Sequence, residues 1–77
     1  MSGLRTEHSE PIQDKYGTVD HHRAECTGCN LVRTEGPSYK DFKNLERFMG
    51  NHIGYGGPCH DYRIIAVYED GGESNVA

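Results

Sequence analysis

The chain has 77 residues, 34% of them apolar, with no Trp, two Phe and a formal charge of −4 at neutral pH. That length allows one domain, and that composition only a small hydrophobic core, so folding calls for an additional staple. No stretch approaches the roughly 20 apolar residues of a membrane span, and Met1 to His8 carries no apolar signal-like run, so the expectation is a soluble, cytoplasmic protein without membrane contact.

Residues 1–15 are polar, contain Pro11 and show no sustained periodicity, which predicts a flexible N-terminal tail. Residues 70–77 read the same way, leaving a compact module over 16–69. Tyr16 to Glu25 and Asn30 to Thr34 carry weak strand signals. The turn between them, Cys26-Thr27-Gly28-Cys29, joins them as a hairpin in which Gly28 tolerates a tight turn. Glu35-Gly36-Pro37 ends the second strand.

Ser38 is a good helix N-cap, with Asp41 three residues later as a capping-box partner. The helix is expected from Tyr39 to Asn51 or Ile53. Phe42, Leu45, Met49 and His52 recur on one face, which aims the histidine at the core. Gly54-Tyr55-Gly56-Gly57-Pro58 then turns the chain. Tyr62 to Glu69 is β-branched and aromatic with apolar groups on both faces, as a central strand requires. The predicted fold class is α+β: a small zinc-stabilised β-β-α-β module with a zinc knuckle in its hairpin, one helix and a C-terminal strand.

The most constraining pattern is C-x2-C-x22-H-x6-C, formed by Cys26, Cys29, His52 and Cys59. Three thiolates and an imidazole can surround Zn²⁺ tetrahedrally, which would supply the missing staple as a structural ion. Three cysteines are an odd number for disulfides, and metal-bound thiolates in a reducing compartment fit better. His21, His22 and His60 are alternative fourth ligands. Four protein donors leave no position for a reactive water, so zinc catalysis is not expected and the protein reads as non-enzymatic. A thiol redox role for the C-x2-C pair needs a helix after the first cysteine, whereas Asn30 to Arg33 reads as strand.

These ligands and spacings resemble the C2HC zinc fingers, and the chain is similar to the short C2HC zinc-finger-like proteins of bacterial and phage type. The closing H-x6-C also resembles that of the inhibitor-of-apoptosis repeat, C-x2-C-x16-H-x6-C. Here the central spacing is six residues longer and the Trp-rich signature is missing, so that family's peptide groove and partners do not carry over. What the resemblance implies is a zinc-held fold.

Lys40, Lys43 and Arg47 form a basic stripe opposite the apolar helix face. An amphipathic helix places such charges outside in any case, yet the stripe is also a candidate phosphate-contacting edge. Between Lys15 and Arg47 six basic residues face five acidic ones, while Glu7, Glu10, Asp14, Asp61, Glu69, Asp70 and Glu73 lie near the ends. That balance discourages non-specific attraction to nucleic acid. Tyr55, in the glycine loop, is a candidate contact residue for a protein partner. The expected function is therefore a small adaptor or regulator that binds a protein. Nucleic-acid binding through the helix stripe is the alternative, a thiol redox role comes after it, and no small-molecule substrate is expected.

Overall fold

A computed structural model of the chain describes residues 10–54 and 59–76. Among these residues, five antiparallel strands and one helix follow in the order β1 (Gln13–Asp14), β2 (Gly17–Cys26), β3 (Val32–Glu35), α1 (Tyr39–Ile53), β4 (Tyr62–Tyr68) and β5 (Glu73–Asn75). β2 is the spine of a curled sheet. Along one edge it pairs with β4, from Val19 opposite Tyr68 to Cys26 opposite Tyr62, and β5 continues the sheet beyond β4. On its other side β2 pairs with β1 at its start and with β3 at its end.

The weak alternation of β2 has a local cause. The register of β2 against β4 shifts between Val19 and His21, so an extra residue is accommodated there. Such a bulge lets Val19 and His22, three apart, both turn inward with Ala24 and Cys26. Opposite them on β4, Ile64, Ala66 and Tyr68 point the same way and are buried. Leu45 and Met49 of α1 complete the main core with Ala24, Cys26, Cys59 and Ile64, and Phe42, Phe48 and Tyr62 close around it.

The helix begins as its sequence dictates. The Asp41 amide donates to Ser38 Oγ at 3.2 Å, and the Ser38 amide donates to Asp41 Oδ2 at 3.1 Å, a complete capping box. Gly36 is needed for this cap, because a Cβ there would stand 2.5 Å from Asp41 Oδ2. Its carbonyl also accepts from His22 Nδ1 at 2.8 Å, fixing the approach to α1 from the strand side. At the far end the Gly54 amide donates to the Gly50 and Asn51 carbonyls and closes the last turn.

Two strands occur where flexible tails were expected. Gln13–Asp14 and Glu73–Asn75 are paired, so the sheet has five strands rather than the three anticipated. Each is added by a tight hairpin. Asp14 Oδ1 accepts the Tyr16 amide before Gly17, which takes a φ of 123°. Asp70 Oδ1 accepts the Gly72 amide beside Gly71 at a φ of 95°. Ile12 then packs on Val19, Ala66 and Tyr68, and the Tyr68 hydroxyl donates to Asp14 Oδ2 at 2.8 Å.

The face of the sheet away from α1 carries ions. Glu25 accepts from Arg23 and from Arg63, each at 2.8 Å, and Arg23 reaches on to Glu73 at 3.1 Å, over a nearly buried Ile65. The arginine stems thereby cover apolar surface on that face. Among the described residues no helix is long and apolar enough to cross a membrane.

Candidate metal centre

Three separate stretches of chain deliver four donors to one place. Cys26 ends β2, Cys29 follows in the knuckle, His52 lies in the last turn of α1, and Cys59 precedes β4. One ligand atom from each lies within 4.8 Å of the others. The edge of a tetrahedron around Zn²⁺, with donors about 2.0 to 2.3 Å from the ion, is about 3.3 to 3.8 Å, so a contraction of about 1 Å closes the group on one ion. A cluster of irons and sulfides would instead need its thiolates pushed farther apart.

The knuckle is held by its backbone. The Cys26 amide donates to the Leu31 carbonyl at 3.1 Å, closing the β2–β3 hairpin beneath it. Both the amide and the hydroxyl of Thr27 donate to the Asp61 carbonyl, at 3.1 and 3.0 Å, which ties the knuckle to the chain just after Cys59. The Gly28 amide donates to Cys26 Sγ at 3.3 Å. His52 arrives from the helix side because Leu45 and Met49, seven and three residues before it, fix that face against the sheet.

The donors differ in their surroundings. Cys26 and Cys59 are buried, His52 is half-buried and Cys29 is exposed. Burial alone pushes the Cys26 thiol up. The Gly28 amide, the Cys59 thiol, His52 and the Cys29 amide together outweigh that and bring it down to about 6. Cys59 is the proton-holding partner: the neighbouring Cys26, then burial and Cys29, push it up to about 12. Hydrogen bonds thus favour the thiolate form at Cys26, while its sulfur neighbours favour the proton on Cys59, a proton that a bound cation would displace.

The other candidate residues lie elsewhere. His22 is only 1% exposed, with Nδ1 spent on the Gly36 carbonyl and its ring tilted against Phe42 at 5.7 Å. His21 Nδ1 donates to Asp20 Oδ2 at 2.7 Å, and neither His21, His22 nor His60 joins the Cys26, Cys29, His52 and Cys59 group. Lys40, Lys43 and Arg47 are exposed on α1, but Lys43 is paired with Glu46 at 2.7 Å. Tyr55 lies outside the described residues. The part played by Asp61 had no sequence signal, because its carbonyl does the work and any residue supplies one.

In composition and spacing this is a small α+β protein with a Cys3His group that could hold a metal ion. No protein-family model, curated protein or solved structure matches the chain.

Proposed function

We infer that Cys26, Cys29, His52 and Cys59 bind a single structural Zn²⁺ and that the protein works as a non-enzymatic adaptor or regulator of a protein partner. The observation carrying the metal reading is the meeting of four donors from the strand, knuckle, helix and loop within 4.8 Å. Three sulfurs and one imidazole favour zinc over the harder cations, which prefer oxygen. With all four positions taken by the chain, the ion contributes folding energy rather than a reactive water. Thiolate ligation also fits a reducing, cytoplasmic setting.

Support for a protein partner comes from what the surface offers. β3 pairs only with β2 among the described strands, and Val32 on it is exposed, as are Tyr16 and Tyr39. A strand that no second described strand pairs, with Val32 exposed on it, suits an added strand from another chain. The test is an isotope-labelled titration against the isolated partner, once captured by crosslinking through residue 32. Loss of binding on Val32→Asp, with zinc content and fold unchanged, supports this reading, and unchanged binding counts against it.

Nucleic-acid binding is the second reading, favoured by the common exposure of Lys40, Lys43 and Arg47 on one helix face. Glu46 neutralises part of that stripe, and the whole chain is acidic. A gel shift at low salt that disappears with added salt and with Lys40→Glu plus Arg47→Glu would favour it. No shift at low salt would remove it.

A further inference from the structure

We propose that the metal centre is a peroxide-responsive switch in which Cys29 is the reacting sulfur and closes a disulfide with Cys26, expelling the ion. This rests on the zinc reading above and names how that same site would be regulated. The physical basis is an inequality among the three thiolates. Cys26 and Cys59 are 7% and 8% exposed and belong to the apolar core, whereas Cys29 stands at the surface of the knuckle. An oxidant dissolved in water therefore meets one sulfur before the others.

Electron density points the same way. The Gly28 amide donates to Cys26 Sγ, and such a bond draws charge away from that sulfur and weakens it as a nucleophile. Cys29 Sγ instead faces His52 Nε2 at 3.6 Å, a fellow donor to the ion. The second sulfur needed for a disulfide is already within 4.8 Å, in a C-x2-C loop short enough to close without moving a strand.

The chemistry balances with hydrogen peroxide as the only co-reactant. The Cys29 thiolate attacks one peroxide oxygen and the O–O bond breaks, giving a sulfenic acid and hydroxide, which takes a proton to become water. The Cys26 thiolate then attacks the Cys29 sulfur and displaces a second hydroxide, likewise protonated to water. Two sulfurs lose one electron each, and peroxide receives both. Only His52 and Cys59 then remain as donors, too few to retain the ion. Leu45, Met49, Ala24 and Ile64 still hold the helix on the sheet, so the consequence is release of the knuckle and the helix end rather than wholesale unfolding, and a dithiol reductant reverses it.

The test starts from the full chain whose zinc content has been measured, so absence of zinc is recognised as failure of the metal reading before any oxidant is added. Hydrogen peroxide is then titrated with a chromogenic chelator present, and peptides are mapped by mass spectrometry. The expected result is one Zn²⁺ released per chain, early trapping of a sulfenic acid at Cys29 by dimedone, and a Cys26–Cys29 disulfide that dithiothreitol reverses with recovery of zinc. Cys29→His, which keeps four donors while removing the exposed sulfur, should slow release at least about tenfold. Zinc that stays bound through the titration would overturn the proposal. So would first trapping at Cys26 or Cys59, or a bond that joins Cys29 to Cys59.

Discussion

Cys29 Sγ lies 3.6 Å from His52 Nε2 although 23 positions separate the two residues in the chain. The contact exists because each end is fixed independently. The β2–β3 hairpin places the cysteine, and the capped helix, seated by Leu45 and Met49, places the histidine. A donor contributed by a rigid helix face rather than by a loop ties the position of the imidazole to the orientation of the helix.

His52→Ala should therefore lower zinc affinity by more than about 100-fold, beyond the range seen for outer supports of a metal site. His60→Ala and His21→Ala should leave it within about twofold, since neither joins the donor group. Competition with a fluorescent zinc chelator measures all three. Equal losses for His52→Ala and His60→Ala would reassign the fourth ligand.

The helix start offers a coupling test. Gly36→Ala drives a Cβ into the Asp41 carboxylate and should cost about 1 kcal/mol, the worth of an N-terminal cap. Asp41→Ala should cost a similar amount. With Asp41 already truncated, adding Gly36→Ala should be close to neutral, because the group it displaces is gone. Thermal unfolding of the metal-loaded single and double variants measures the coupling, and additive losses would contradict it.

Much of this architecture was legible in the chain, and the reasons are local. The helix from Tyr39 to Ile53, its Ser38 cap and the Phe42, Leu45, Met49 and His52 face follow from periodicity and capping chemistry. The long strand from Tyr62 follows from its β-branched run. The Cys3His group that could hold a metal was readable because thiolate and imidazole spacing reflects a chemical requirement more than a packing one. β1 and β5 were not read as strands because runs of two and three polar residues are too short to show a hydrophobic alternation. Their turns did leave a trace, in Asp14 with Gly17 and in Asp70 with Gly71, a pairing of Asx and glycine that marks hairpins even when the strands are too short to show a period. The bulge near Asp20 hid the inward face of β2, since it breaks the two-residue repeat on which the strand signal depends.

Metal affinity should depend on pH in two regimes. Burial pushes the Cys26 thiol up, but the Gly28 amide, Cys59, His52 and the Cys29 amide together bring it down to about 6, so what it adds to the metal-free fold is present above the ordinary thiol range and is lost as pH falls through about 6. The Cys59 thiol, pushed up to about 12 by Cys26, acts in the opposite sense: its contribution holds below the ordinary thiol range and is lost only as pH rises towards 12. Binding must then expel the Cys59 proton throughout the neutral range and, below about pH 6, a Cys26 proton as well. A plot of log affinity against pH from chelator competition should steepen by at least one proton below about 6. A slope that is unchanged from pH 5 to 8 would contradict that arrangement.

Leu45→Ala removes a side chain that is fully buried between Ala24 and Ile64 and should cost about 2 to 5 kcal/mol. In so small a core that loss is expected to unfold the metal-free chain while the zinc-loaded chain stays folded, as far-UV circular dichroism with and without chelator would show. Unfolding to the same extent in both states would mean that the ion contributes little.

The most direct measurement is native mass spectrometry of the reduced, purified chain with and without chelator, paired with amide resonance dispersion on the same samples. One Zn²⁺ per chain, removed by chelator together with the dispersion of the knuckle and of the C-terminal turn of α1, is the expected result. A reduced chain that carries no metal, gains none when zinc is supplied and keeps the same dispersed spectrum would contradict a fold joined through Cys26, Cys29, His52 and Cys59.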